Sequence, residues 1–78
     1  MKTEFTLPKY LRLLLLLYRR GIVEMSKRRS YGFTKNDVYM LEAYGLVTRA
    51  TIRGEEIVVI TDKGEKWVYE NIVKVVCG

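Results

Sequence analysis

The chain has 78 residues, 49% of them hydrophobic and 12% aromatic, which predicts one globular domain over residues 1–78. Histidine is absent, and Cys77 is the only cysteine. A nucleophile activated by histidine is therefore excluded, as is a zinc site with about four nitrogen or sulfur ligands. We expect neither an enzyme nor a metal or other cofactor. Cys77 is expected to be inert or, as the less favoured alternative, to form an intermolecular disulfide.

The charge balance favours an anionic partner. Lysine and arginine number 14 against 9 aspartates and glutamates, a net charge of +5. Such an excess on a small chain is typical of a protein that meets nucleic acid or, second, a membrane surface. Solubility alone explains it about equally well. Glutamine is absent and asparagine occurs only at Asn36 and Asn71, which favours a source that lives at high temperature.

The stretch LPKYLRLLLLLYRRG (residues 7–21) predicts the first helix. It is shorter than the about 20 apolar residues that cross a bilayer, and two cations interrupt its first half. Thr6 suits the N-cap position and Gly21 suits the end of the helix. Because residues 13–18 are apolar without a break, we expect this helix to be covered both by its own domain and by a second surface.

The stretch IVEMSKRRS (residues 22–30) predicts a second, shorter helix, with Ile22, Val23 and Met25 able to face the core. Its end carries three cations: Lys27, Arg28 and Arg29. An isolated run of this kind is usually a solvated surface. Its position directly before the next helix favours binding to phosphate instead.

A third helix is predicted over residues 34–44, with Thr34 as N-cap and Gly45 as the residue that ends it. Val38 and Leu41 face the core at helical spacing. The opposite face carries an amide, a phenol, a cation and small or apolar groups: Lys35, Asn36, Tyr39, Met40 and Ala43. Such groups reach base edges and phosphates in a major groove, although in an ordinary amphipathic helix they would pack on a protein partner.

Two β-branched runs predict a β-hairpin over residues 46–61, with GEE (residues 54–56) as its turn. Alternation divides the first strand into an apolar face with Leu46, Thr48, Ala50 and Ile52 and a second face with Val47, Arg49, Thr51 and Arg53. The two arginines then lie near the tip, exposed to a partner. A final helix is predicted to begin at Thr61 or Asp62.

Two segments resemble a known family. LEAYGLVTRA (residues 41–50) is similar to the Leu-x-x-x-Gly-Leu-Val run that leads from the recognition helix of a winged helix-turn-helix protein into its wing. ITDKGEKW (residues 60–67) is similar to the Ile/Leu-Thr-x-x-Gly run that leads from the wing into the last helix. The resemblance covers about residues 8–75 and is greatest to the small transcription regulators of archaea, plasmids and archaeal viruses.

The resemblance implies an α+β fold in the order helix, helix, helix, β-hairpin wing, helix. It implies a sequence-specific regulator that binds double-stranded DNA, with residues 34–44 in the major groove and the wing, residues 46–61, on the backbone or minor groove. It implies that the outward face of the third helix contacts the bases, through Lys35, Asn36, Tyr39, Met40 and Ala43. It implies that the phosphate and wing contacts are made by Lys27, Arg28, Arg29, Arg49, Arg53 and Gly54. The metal ligands of the arsenic-sensing branch are missing.

The last helix carries two neighbouring apolar stripes, which predict a homodimer through the first and last helices rather than a monomer that covers both stripes itself. The predicted interface consists of Leu13, Leu14, Leu17, Tyr69, Val73 and Val76. Two rival functions stay open at this point: a winged helix that binds a protein, and an architectural protein that binds DNA or RNA without sequence preference. A cytoplasmic location is expected for a DNA-binding regulator.

Overall fold

The computed structural model describes residues 7–77, apart from the side chains of residues 76 and 77. In chain order the elements are α1 (Lys9–Arg20), β1 (Ile22–Glu24), a 3-10 helix (Met25–Tyr31), α2 (Lys35–Ala43), β2 (Val47–Ile52), β3 (Glu55–Ile60), α3 (Asp62–Val68), a π-helical turn (Tyr69–Val73) and α4 (Lys74–Cys77). The α+β class is as predicted. None of the described helices combines the length and apolar character that crossing a bilayer requires.

The first helix ends at Gly21 as predicted, but its N-cap is Pro8 rather than Thr6, so it begins later than predicted. It begins after Pro8, whose fixed backbone suits a helix start, and it ends at Gly21. Gly21 has a φ of 92° and donates its N–H to the carbonyl of Leu17, so a residue without a side chain is favoured there. The predicted N-cap, Thr6, lies outside the described residues.

The predicted second helix is wrong over its first residues. Ile22–Glu24 forms β1, which pairs antiparallel with β3, Val23 lying opposite Val58. Burial alternates accordingly, since Val23 is buried and Ile22 is 46% exposed. Only Met25–Tyr31 is helical, as a 3-10 helix. Two adjacent β-branched residues after a left-handed glycine suit an edge strand, but the partner strand lies far along the chain and the local pattern does not show it.

The third helix is confirmed, with a capping box at its start. The Asp37 carboxylate accepts hydrogen bonds from the Thr34 backbone N–H at 2.9 Å and from its hydroxyl at 3.3 Å. These bonds explain how a carboxylate that is only 8% exposed is accommodated. Gly45, with a φ of 75°, allows the chain to turn sharply away from the helix into the hairpin.

The hairpin is confirmed, but its turn is not at residues 54–56. Ile52 pairs with Glu55, so the loop consists of Arg53 and Gly54 alone. Their φ angles are 54° and 78°, and two successive positive values characterise the two-residue turn that fits the twist of a hairpin. β1 joins the other edge of β3, which gives a three-stranded sheet in the order β1-β3-β2.

The predicted apolar face of β2 is not the buried one. Val47 is 2% exposed, whereas the following residues of the strand are exposed. Alternation places Arg49 on the same side as Val47, toward the helices, while Ala50 and Ile52 point outward. Ile52 is 53% exposed as a result.

The base of the hairpin is tied to the start of the last helix at a joint formed by Gly45, Leu46, Thr61 and Gly64. The Thr61 hydroxyl donates to the Gly45 carbonyl at 2.8 Å and accepts from the Gly64 N–H at 3.0 Å. The Thr61 N–H donates to the Leu46 carbonyl at 3.0 Å. A Cβ on Gly64 would overlap that carbonyl oxygen, so the helix approaches this closely only because the residue is glycine.

The core contains the side chains that the dimer prediction assigned to an interface. Leu13, Leu14 and Leu17 are fully buried within the single chain. They pack with residues from every other layer: Val38, Leu41, Val58 and Val68. Their assignment to a dimer interface is therefore wrong, because they have no surface left to offer. Of the other assigned residues, Tyr69 is exposed, Val73 is half-buried, and the side chain of Val76 lies outside the description.

Candidate nucleic-acid interface

The outward face of α2 is formed by the five residues that the sequence assigns to base reading. Lys35, Asn36 and Ala43 are exposed, Tyr39 is 45% exposed and Met40 is half-buried. The capping box sets the start of the helix and the buried Val38 and Leu41 fix its rotation. A lysine, an amide and a phenol are thus presented together on one helical surface.

Arg49 links α2 to the hairpin. Its Nε lies 3.1 Å from the Glu42 carboxylate of α2, and its Nη1 lies 3.3 Å from the Glu56 carboxylate of β3. Its guanidinium carbon lies 5.3 Å from the centre of the Tyr39 ring, within the range of a cation–π interaction. The hydrogen bond to Glu42, together with the charges of both carboxylates, raises the pKa of Arg49 above its ordinary value.

These contacts change how far the Arg49 guanidinium is available to phosphate. The sequence suggests a bare cation at the edge of the hairpin, but the guanidinium already interacts with two carboxylates and an aromatic ring. Its direct contact to phosphate stays a prediction, and any such contact has to compete with Glu42 and Glu56. What the geometry supplies is a brace, in which Arg49 connects α2 to β3 through two partly exposed ion pairs.

The arginine at the tip of the hairpin has different surroundings from those of Arg49. Arg53 and Gly54 are exposed, and within residues 7–77 no ion pair involves Arg53. Arg53 borders a groove on the outer side of the sheet, which is lined by Ile22, Ile52 and Ile57 and by the two acidic residues Glu24 and Glu55. The Arg53 guanidinium is exposed, but an anion that approaches it also meets the repulsion of these two carboxylates.

The three cations before α2 have unequal surroundings. Lys27 Nζ lies 3.6 Å from the Glu24 carboxylate on an exposed surface. Arg28 donates from Nη1 to the Met25 carbonyl at 3.3 Å, and its buried Nε has no hydrogen-bond partner among the described residues. Arg29 is exposed. The 3-10 helix carries these residues beside the hairpin, where the Ser26 hydroxyl lies 3.4 Å from the Glu55 carboxylate.

Sequence reasoning missed Glu42 and Glu56 as partners of Arg49. Glu56 pairs with Thr51 across the ladder and is therefore diagonal to Arg49, a spacing at which long side chains meet. A turn placed at residues 53–54 would have revealed this neighbour from the register alone. Glu42 could not be found in this way, because its distance from Arg49 depends on how α2 packs against the sheet.

Comparisons with protein-family models, with curated proteins and with solved structures give no match to this chain. The resemblance of residues 41–50 and 60–67 to the winged helix-turn-helix family therefore stays a prediction. Function is inferred below from the geometry of α2 and the hairpin.

Proposed function

We propose that this chain is a winged helix-turn-helix protein that binds double-stranded DNA at a preferred sequence and regulates transcription. The observation that carries the proposal is the surface formed by α2 and the hairpin. An exposed helical face with Lys35 and Asn36 stands beside a hairpin with an exposed arginine at its tip, and Arg49 braces the two. The net charge of +5 adds attraction to a polyanion.

In this proposal α2 enters the major groove. Asn36 suits the paired acceptor and donor of adenine, and Lys35 suits the acceptors of guanine. Tyr39 and Ala43 lie on the same face and contact bases or methyl groups, with Met40 at the margin. Arg53 at the hairpin tip and Arg29 before α2 contact phosphates on either side and fix the position of the helix along the groove.

The brace at Arg49 gives the surface its fixed shape. Two elements that dock on one duplex bind more tightly when their relative angle is set beforehand, because less ordering is needed on binding. The Glu42 and Glu56 carboxylates also repel any phosphate that approaches the centre of the surface. Phosphate contacts are therefore favoured at its edges, and discrimination between sequences is favoured over general affinity for the backbone.

We further propose a homodimer, built from surfaces other than the buried leucines. The outer side of α1 leaves Leu15 and Leu16 half-buried, and the last helical region leaves Tyr69 and Val75 exposed at 52% and 70%. A two-fold dimer would bind a nearly palindromic site with half-sites about one helical turn apart. A DNA-binding regulator of this size suits the cytoplasm of an archaeal host.

One observation favours a rival function. Tyr39 is exposed next to half-buried Met40, and two carboxylates lie beside them, so this surface also suits a protein partner with a basic or aromatic anchor. In that case the chain would bind a protein partner and would not bind DNA even at low salt. An architectural protein without sequence preference is the other alternative, and it would show salt dependence without discrimination.

The test is fluorescence anisotropy with a labelled duplex found by selection from random sequences and with a scrambled duplex of equal length, over a series of salt concentrations. The proposal predicts a preference of about 10³-fold or more for the selected duplex and a steep salt dependence. Asn36→Ala should cost about 1–3 kcal/mol on the selected duplex and little on the scrambled one.

Asn71→Ala is the matched control, because Asn71 is the chain's other asparagine and lies on the last helical region, where its amide donates to the Trp67 carbonyl. It should leave both affinities unchanged. Equal binding to both duplexes would indicate an architectural protein. No binding at low salt would contradict DNA binding altogether and leave the protein-interaction function.

A further inference from the structure

An open pocket of about 300 Å³ lies where α1, the end of α2 and α3 meet. Its lining residues are Tyr10, Leu11, Tyr44, Leu46, Lys63 and Trp67. The pocket is separate from the outward face of α2 and from the hairpin tip. Its volume is at the lower end of the range for small-molecule sites, which suits a ligand with one ring.

The walls of the pocket are aromatic. The Tyr10 and Tyr44 rings lie 6.1 Å apart between centres at an angle of 33°, and half-buried Trp67 forms another side. Flat aromatic side chains of this kind accept a further ring edge-on or in an offset stack. An apolar, planar ligand body therefore fits these walls.

The pocket also carries one charge. Among the described residues that line it, Lys63 is the single charged one and none is a carboxylate. A Cβ on Gly45 would lie 3.6 Å from Lys63 Nζ, so the ammonium group sits directly over the chain that leaves α2. The C-terminal end of a helix carries partial negative charge, and Lys63 is placed to neutralise it. A ligand with a carboxylate at this point would share that ammonium group.

We propose that this pocket binds a small aromatic carboxylate, with its ring against Tyr10, Tyr44 and Trp67 and its carboxylate on Lys63. We also propose that the ligand alters DNA binding, and this second part rests on the function proposed above. Tyr44 and Leu46 directly follow α2, and Leu46 is held by Thr61 and Gly64 in the joint. A ligand that draws Lys63 away from the end of α2 acts on the segment that orients α2 against the hairpin.

The chain provides its own probe, because Trp67 is its only tryptophan and lines the pocket. Hydrocinnamate and its uncharged amide, hydrocinnamide, are titrated into the full-length protein while tryptophan emission is recorded. The proposal predicts a saturable change with hydrocinnamate, with a Kd below about 1 mM, and weaker binding of the amide. An equal response to acid and amide would contradict the role of Lys63.

Two lysine variants separate the local charge from the general charge of the protein. Lys63→Met keeps the length of the side chain and should weaken hydrocinnamate binding about tenfold, while leaving the amide unaffected. Lys66→Met is the control, since Lys66 lies on the same helix but borders a different groove, with Tyr18 and Tyr69. Lys66→Met should bind both compounds like the unmodified protein, and a loss as large as that of Lys63→Met would overturn the assignment.

Four further outcomes are decisive. No saturable change in emission would overturn the ligand site. If a second copy covered the pocket, the affinity for hydrocinnamate would fall as the protein concentration rises, and that result would also overturn the ligand site. Hydrocinnamate should change the Kd for the selected duplex, and by linkage the duplex changes the Kd for hydrocinnamate by the same factor. An unchanged Kd for the duplex would overturn the proposed effect on DNA binding. Ligand binding without any DNA binding would contradict the proposed function and leave the pocket assignment intact.

Discussion

At the base of the hairpin, Val47 and Ile60 are buried and the joint ties the strands to the start of α3. At the tip, Arg53 and Gly54 are exposed and lie in left-handed conformations. Each end has an arginine nearby, but Arg49 interacts with carboxylates of α2 and β3 whereas Arg53 has no ion pair within residues 7–77. The same residue type therefore has two different surroundings, four positions apart.

The difference follows from strand geometry. Arg49 shares the inward side of β2 with Val47, so its long side chain reaches the helical layer and meets Glu42. Arg53 belongs to the turn, and no contact among the described residues connects it to α2. We infer that the base of the hairpin determines stability and orientation, and that the tip determines affinity for an anionic partner. Substitutions of a glycine and of an arginine at each end of the hairpin test this division of roles.

Gly64→Ala should have the largest effect. Alanine favours a helix over glycine by about 1 kcal/mol, but its Cβ would overlap the Leu46 carbonyl oxygen, which is backbone and cannot rotate away. We expect a net loss of at least about 2 kcal/mol in the free energy of unfolding, which lowers the Tm by roughly 8–16 °C for a chain of this size. Thermal unfolding followed by circular dichroism measures it. An unchanged or raised Tm would show that the joint is not closely packed.

Gly54→Ala is the same substitution at the tip and should have a smaller effect. No atom of the described residues lies within 4 Å of the position of a Cβ there, so among them only the left-handed backbone, with a φ of 78°, opposes the change. We expect a loss of about 1 kcal/mol in the same unfolding measurement. A loss as large as that of Gly64→Ala would mean that the tip also determines stability, against the division proposed here.

Substitutions of the two arginines should affect DNA binding differently. Their free-energy changes should be the smallest of the series. Arg53→Met should weaken binding to selected and scrambled duplexes alike and reduce the slope of log K against log salt by about one unit. At the base, the double variant Arg49→Met with Glu42→Gln removes one positive and one negative charge, so the net charge stays at +5. It should leave the slope unchanged and reduce the preference for the selected duplex.

Anisotropy over a salt series on both variants decides between the two roles. If the variant at Arg49 and Glu42 lost a full unit of slope, Arg49 would contact phosphate directly, as the sequence suggests, and its brace would open on binding. If Arg53→Met left the slope unchanged, the hairpin tip would not contact the backbone of the duplex.

Much of the local structure was predictable because the signals are local. Thr34 with Asp37, Gly21 and Gly45 mark helix ends through bonds and backbone angles that involve only near neighbours. The hairpin was also predictable, but the turn was misplaced because GEE looks more like a loop than the pair Arg53–Gly54 does. For the candidate site, the sequence placed the polar residues on the outward face of α2, since helical spacing alone decides which residues share a face.

The α+β class, the end of α1 at Gly21, both ends of α2 and the five residues on its outward face could all be predicted from the sequence. Three features come from the packing of distant segments: Ile22–Glu24 is a strand, Leu13, Leu14 and Leu17 are core rather than interface, and Arg49 interacts with Glu42. Each of these depends on contacts between residues distant in the chain. A periodic pattern shows that a side chain is apolar or charged, but what covers or pairs with it is set by the packing of one element on another.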